Sequence, residues 1–348
     1  MSLADAVAAV LIAGVTAYAV LGGADFGAGF WDLTAGGARR GARLRGLIKR
    51  SMHPVWEANH VWLIFLLVVF WTGFPTAFGA VMSTLYVPLF FAVVGIVLRG
   101  TAFAVRGEAS TIGEARVFGA AFALSSVLVP FCFGVTIGAI VTGHVEVPAD
   151  GADAIASWAH PVPIYIGVLA VVTGAYLAAV FLAADAVRAG LPDLVDAFRT
   201  RALVAAAVAG AMAIGGIFVV RDNVPALYDG LTSGAGLAVV IGSVVAGAIT
   251  LALVWGRHFG LARWTSTLAV GAIIVGLAIA QAPDFLPGEL TLEQAAAGDP
   301  TLIALLVFAV VAVLVLVPSL ALLYRLTLRG DLDSEFHPIV AADREEQR

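Results

Sequence analysis

Nine runs of mainly apolar residues, most of them about 20 residues or longer, punctuate this 348-residue chain. Each can cross roughly 30 Å of hydrocarbon at about 1.5 Å of rise per residue. They lie at about 3–33, 54–73, 77–98, 117–142, 160–186, 202–220, 234–255, 264–282 and 302–324. The runs are continuous and do not alternate, which argues against the strands of a membrane barrel. The chain therefore reads as an all-α polytopic membrane protein with nine transmembrane helices. Residues 1–330 are expected to form a single transmembrane domain and 331–348 a polar cytoplasmic tail, partly disordered. Charged residues supply only 12% of the chain and mean hydropathy is +1.00, far from a soluble domain.

The first run has no basic start and no Ala-x-Ala end, so it is read as a span and not as a cleaved signal. Cys132 is the one cysteine, which excludes an intrachain disulfide and a Cys-rich metal site. Basic residues are strongly one-sided. With nine spans, 18 of the 19 fall in alternate connections and the C-terminal end, six of them in the first connection (Arg39, Arg40, Arg43, Arg45, Lys49, Arg50), and only Arg221 lies opposite. The positive-inside rule then puts the N-terminus outside and the C-terminus in the cytoplasm. The outer connections at 143–159 and 283–301 are acidic and too short to be domains. No Gly-x-x-x-x-Gly-Lys loop occurs, so the chain is not by itself an ATP-driven pump. Ala17-Tyr18 followed by Asp25 echoes Ala175-Tyr176 followed by Asp185, but the offsets differ and no repeat is read from it.

An ionisable group inside a span costs at least about 2.5–3.5 kcal/mol on insertion scales, so each one asks for a reason. Asp25, Asp32 and Glu57 all lie towards the arginine-rich end. Gly23 and Gly27, four apart around Asp25, predict a face that a neighbouring backbone approaches closely. Asp25 reads equally as a packing residue or a proton-handling one, whereas Asp32 reads as snorkelling towards the loop. In HPVWEANHVW, residues 53–62, Pro54 suits the first turn of a helix, with His53 near its cap. His53, Glu57 and His60 then share one face. They could ligate a metal, but no second helix offers a Glu-x-x-His partner, so no metal is assigned; nor is His60 read as a haem ligand. Trp56 suits an interfacial anchor, while the deeper Trp62 needs a partner for its indole N–H. Arg99, ending the third span, is a natural partner for Asp25 or Glu57, or else a snorkelling cation.

Ala-Asp-Phe-Gly-Ala-Gly at 24–29, a basic loop, Pro-Val-Trp-Glu-Ala-Asn-His-Val-Trp-Leu at 54–63 and Phe74-Pro75 together resemble subunit II of the cytochrome bd-type quinol oxidases. The motif match is specific over residues 22–106; beyond that the likeness rests on hydropathy and span number. The resemblance implies two four-helix bundles plus one additional helix. It implies a respiratory terminal oxidase whose haem-bearing subunit I, with haems b and d or a b variant, oxidises quinol and reduces O2 to water with uptake of cytoplasmic protons. Subunit II would bind no haem and no metal of its own, would scaffold subunit I, and would leave room for a structural quinone or lipid. Other implied partners are small single-helix accessory subunits, membrane lipid and the quinol pool, with no role for nucleic acid.

Residue by residue, Asp25 matches the family's first-helix aspartate, Trp56, Asn59 and Trp62 its helix-two pattern, with Trp62 the tryptophan associated with the O2 route, and Arg99 its helix-three arginine. Glu57 stands where the family has Asp, Ala58 where it has Gly, and Ala104 where an acid often follows the arginine. The combined expectation is a buried polar cluster of Asp25, Glu57, Asn59, His60 and Arg99 that contacts subunit I and relays protons, with Trp56 and Trp62 at the O2 route or subunit contact. Two other classes remain: an ion-coupled secondary transporter and a purely structural membrane scaffold.

Overall fold

The computed structural model describes residues 2–37, 41–105, 112–149 and 153–329, except the side chains of 53–58, 103–104, 112–116, 323–324 and 327–329. Helices dominate: α1 (Leu3–Leu33), α2 (Ala42–Gly73), α3 (Pro75–Thr84), α4 (Tyr86–Val105), α5 (Ile112–Val141), α6 (Pro161–Arg188), α7 (Pro192–Asn223), α8 (Pro225–Thr232), α9 (Gly234–Trp255), α10 (Phe259–Gln281), α11 (Leu292–Ala295) and α12 (Asp299–Arg329). Contacts divide the chain into two compact units at Leu305/Leu306, inside α12. The anticipated tail, 331–348, lies outside the described residues.

Local chemistry sets many of the helix starts. Ser2 caps α1: its hydroxyl accepts from Asp5 N at 3.2 Å, while the Asp5 carboxylate accepts from Ser2 N at 2.7 Å. Prolines open α3, α6, α7 and α8 in the first turn, where a missing N–H breaks no helical bond.

The expected nine single-helix spans are not reproduced. Among the described residues seven helices are long and apolar enough to cross a membrane, or eight if Asn59–Gly73 and Pro75–Thr84, bent by 115°, are counted as one broken span. The third expected span, 77–98, is divided between α3 and α4. Proline explains both departures. Pro75 disfavours helical backbone at Phe74, which sits at φ −136°, ψ 62°. Pro88 cannot donate to the Thr84 carbonyl four residues back and would collide with it, so the helix breaks at Leu85. The freed carbonyl is satisfied from elsewhere, accepting from the Ser157 hydroxyl at 3.2 Å.

Two starts also differ. Helix α2 begins at Ala42, so Pro54 is interior and not in the first turn; α7 begins at Pro192, ten residues before the expected 202. Both extensions are amphipathic and are held by packing. Leu44, Leu47, Ile48 and Met52 of α2 join Leu194, Val195 and Phe198 of α7 in one core cluster with the alanine-rich α6. Helix α6 packs against α1, α5, α7 and α10. Its closest approach is to α1: a Cβ on Gly27 would lie 1.9 Å from the Gly174 carbonyl oxygen, so a methyl group there has no space.

The connection after α10 contains a short antiparallel hairpin, β1 (Asp284–Leu286) with β2 (Leu290–Thr291), although no strands were anticipated. Its turn uses Gly288 at φ +77°. The hairpin is stitched to its surroundings, with Val147 N donating to the Glu289 carboxylate at 3.0 Å and Ala297 N to Gly73 O at 2.8 Å. Near it, the His144 and His160 rings lie against each other, tilted by 32° with centroids 4.2 Å apart. Burial, then the neighbouring His160, holds His144 below its ordinary value.

Gly27→Ala should lower the thermal midpoint of the detergent-solubilised protein. Gly210→Ala, in α7 where nothing lies within 4 Å of the added Cβ, should leave it unchanged or raise it, since alanine gains up to about 1 kcal/mol over glycine in a helix. Because folding lowers the affinity of His144 for a proton, the unfolded chain is protonated first as pH falls. Stability should therefore decline as pH drops through about 6.5 and level off below the folded-state value, and His144→Gln should flatten that part of a pH series of melts.

Candidate functional site

Helix α1 carries Asp25 with its side chain only 3% exposed, and α4 carries Arg99 with its side chain 2% exposed. Two charges this far from water are tolerable only if paired and hydrogen-bonded. They are: Arg99 Nη2 donates to Asp25 Oδ1 at 2.5 Å and to the Asp25 main-chain carbonyl at 2.9 Å. Its Nη1 donates to the Ser126 hydroxyl of α5, which in turn donates to Phe122 O at 2.5 Å. The other carboxylate oxygen, Asp25 Oδ2, accepts from Asn59 Nδ2 of α2 at 3.3 Å, and the same nitrogen lies 3.4 Å from Leu21 O. Aromatic faces close the site, with the guanidinium carbon 4.9 Å from the centre of the Phe26 ring and 4.3 Å from that of Phe122.

One ion pair thus joins α1, α2, α4 and α5. The sequence permits it because Gly29 lets α5 come close; a Cβ there would lie 2.0 Å from the Ser126 hydroxyl. Beside the pair is a cavity of about 10 Å³ lined by Tyr18, Asp25, Phe26, Asn59, His60, Leu63, Ile96 and Arg99. It has room for about one water-sized molecule.

Of the residues singled out in the sequence, Asp25, Asn59, His60 and Arg99 meet here. Trp62 stands close by on α2, its ring edge-on to Phe65 at 6.0 Å and its indole nitrogen buried with no hydrogen-bond partner among the described residues. The side chains of His53, Trp56, Glu57 and Ala104 lie outside the described residues. Asp32 does not snorkel freely: it is 4% exposed and accepts from Arg45 Nε at 2.8 Å.

Sequence reasoning missed Ser126, Phe122 and a second ion pair. Arg263 Nη2 of α10 donates to Asp185 of α6 at 2.6 Å and to Phe181 O at 2.9 Å, its guanidinium over the Phe181 ring. The echo of Ala17-Tyr18 and Asp25 in Ala175-Tyr176 and Asp185 marked the helix, but nothing local pointed to Arg263.

A much larger apolar cavity, about 420 Å³, adjoins the same region and shares Tyr18, Phe26 and Leu63 with the small one. The small cavity, which His60 lines, is far below the size of a macrocycle, and the wall of the large one is almost wholly apolar, with neither histidine nor cysteine among its described residues.

The family model for cytochrome bd terminal oxidase subunit II matches residues 3–327. This chain belongs to that family. It is similar to cytochrome bd ubiquinol oxidase subunit 2 of Bacillus subtilis, with 27% identity over 123 residues, covering 35% of this chain and 36% of that relative. The chain thus spans about a third of the length of that curated relative. Its fold is similar to a chain in the structure of bd oxidase from Geobacillus thermodenitrificans, with a TM-score of 0.74, 27% identity, and coverage of 95% of this chain and 100% of that one.

Arg99→Leu should cost about 3–5 kcal/mol by leaving Asp25 buried without its counter-charge. The double variant with Asp25→Asn should recover part of that loss, a coupling that thermal melts of both singles and the double would measure.

Proposed function

We propose that this chain is the haem-free subunit II of a bd-type respiratory terminal oxidase. It scaffolds a haem-bearing subunit I in which quinol is oxidised and O2 reduced to water, with protons taken from the cytoplasm. The supporting observation is the buried Asp25–Arg99 pair, a charged lock on residues shared with the family motif. The haems supply the electron transfer and O2 chemistry in the partner; this chain's part is to hold, shape and admit.

Arg99, Ser126 and the two phenyl rings fix the Asp25 carboxylate in place. Both carboxylate oxygens are occupied, one by Arg99 and one by Asn59, so Asp25 acts mainly as an anchor that holds α2 against α1. Proton transfer falls to Glu57 and His60, which follow on the same helix, with the small cavity beside Asp25 and His60 as the space for a relaying water. Trp62 walls the approach for O2. The large apolar cavity holds an apolar chain, from a quinone or a lipid, that fills the space between α1, α5, α6 and α10. In this reading the N-terminus lies outside and the arginine-rich end faces the cytoplasm. The transporter reading loses ground to the close backbone contact at Gly27, which packs α1 tightly on α6, and to acids that lie towards one end of the spans instead of at the midplane.

Expressed with its neighbouring subunit, the chain should co-purify with haem and support quinol-dependent O2 uptake. Glu57→Gln should slow turnover severalfold at unchanged haem content, and unchanged turnover would remove the proton role. A chain that purifies alone, without haem, and moves a solute would overturn the assignment.

A further inference from the structure

At the arginine-rich end, the carboxylates of Asp32, Asp185, Asp193 and Asp196 all have an arginine partner. Asp32 is held by Arg45 at 2.8 Å, and Asp185 by Arg188 and by Arg263 at 2.6 Å. Asp193 is gripped by both terminal nitrogens of Arg43, at 2.8 and 3.0 Å, and Asp196 by Arg257 at 2.7 Å. Arg199 donates to the last carbonyls of α9, Val254 O at 3.2 Å and Trp255 O at 2.9 Å.

Arg201 has no such partner among the described residues. Its guanidinium carbon lies 5.5 Å from the centre of the Trp31 ring and 5.3 Å from that of Phe198, and the side chain is half-buried. Trp31 is itself fixed, its indole N–H donating to Ala175 O at 2.8 Å. Lys49 and Arg50 also lack a carboxylate, but both are exposed, where water solvates them fully. Arg201 is instead a rigid fork of donors held against rings, a geometry suited to two oxygens of a phosphate.

What continues from Arg201 along α7 suits the rest of a lipid. Val204, Val208, Ala211 and Phe218 follow at helical spacing on its side of the helix and are exposed. Val204 is 59%, Val208 45% and Phe218 61% exposed. From Arg201 to Ala211 this stripe rises about 15 Å, roughly one leaflet of a hydrocarbon core about 30 Å thick. Trp255 and Trp264, both prominently exposed at the same end, mark the depth at which headgroups lie.

We propose that Arg201, seated on Trp31 and Phe198, binds the phosphodiester of a membrane phospholipid whose acyl chain runs down the α7 stripe. Because Arg201 has no counter-charge among the described residues, the site prefers headgroups of net negative charge.

The test is the phospholipid content of the full chain, extracted in mild detergent with whatever subunits accompany it and analysed by native mass spectrometry and lipid extraction. Wild type should retain one more phospholipid per chain than Arg201→Gln, enriched in anionic headgroups, and Arg201→Lys should retain less than wild type because it keeps the charge without the fork. Phosphatidylglycerol added to the delipidated wild type should restore the bound mass, whereas inorganic phosphate should not. Identical lipid content in wild type and both variants would overturn the proposal and leave Arg201 a hydrated interfacial residue. Occupancy by inorganic phosphate in place of lipid would overturn it as well. If Arg201→Gln does not assemble, the Lys variant alone decides, since equal lipid content there excludes bidentate recognition. None of these outcomes depends on oxidase activity.

Discussion

A carboxylate and a guanidinium, both almost wholly removed from water, govern the first half of this molecule. Neither charge could be buried alone, and pairing them without further bonds would still leave a large desolvation cost. The fold meets that cost by converging four helices on the pair: α1 gives the acid and its own carbonyl, α4 the base, α5 a hydroxyl that accepts one proton and donates another, and α2 an amide. The local sequence is shaped by this convergence. Gly29 leaves room for Ser126, and the Phe26 and Phe122 rings lie against the guanidinium.

The same logic recurs more openly at the arginine-rich end, where Asp185 sits beneath Arg263 and Arg188. There the acid is partly exposed and water shares the work, so the arrangement is looser and contributes less per contact. Depth decides the difference. The inner pair must be complete because nothing else can satisfy it, while the outer one is a set of partial contacts that clamps α6 to α10, with two separate exposed pairs, Arg43–Asp193 and Arg257–Asp196, on α7.

Much of this was readable from residues alone, and the exceptions have physical causes. Long apolar runs announce helices because lipid offers the backbone no partners, and a glycine pair at spacing four announces a close neighbour. Where helices start was less legible. Residues 42–53 are too basic to be read as a span, yet Leu44, Leu47, Ile48 and Met52 carry the helix through them by packing against α6 and α7. The break at Leu85 was signalled by Pro88 but hidden because the short polar step at Ser83 and Thr84 lies inside a run that is apolar on both sides. Ser126 and Phe122 gave no signal, because a serine and a phenylalanine in an apolar run look alike whether or not an arginine from another helix lies between them. Asp32 misled for the opposite reason: near a loop, an acid has an easy route to water, and only the fold brings Arg45 back over it.

The contact between Gly27 and Gly174 has a consequence for how evolution can alter this protein. Two backbones that meet with no side chain between them leave no tolerance for drift, because any replacement must pass through a clash with main-chain atoms that cannot rotate away. Side-chain interfaces can be rebuilt one residue at a time, each change absorbed by a neighbour's new rotamer. Here there is no intermediate to try. The seam between α1 and α6 is therefore the part of the molecule least able to accept an added side chain.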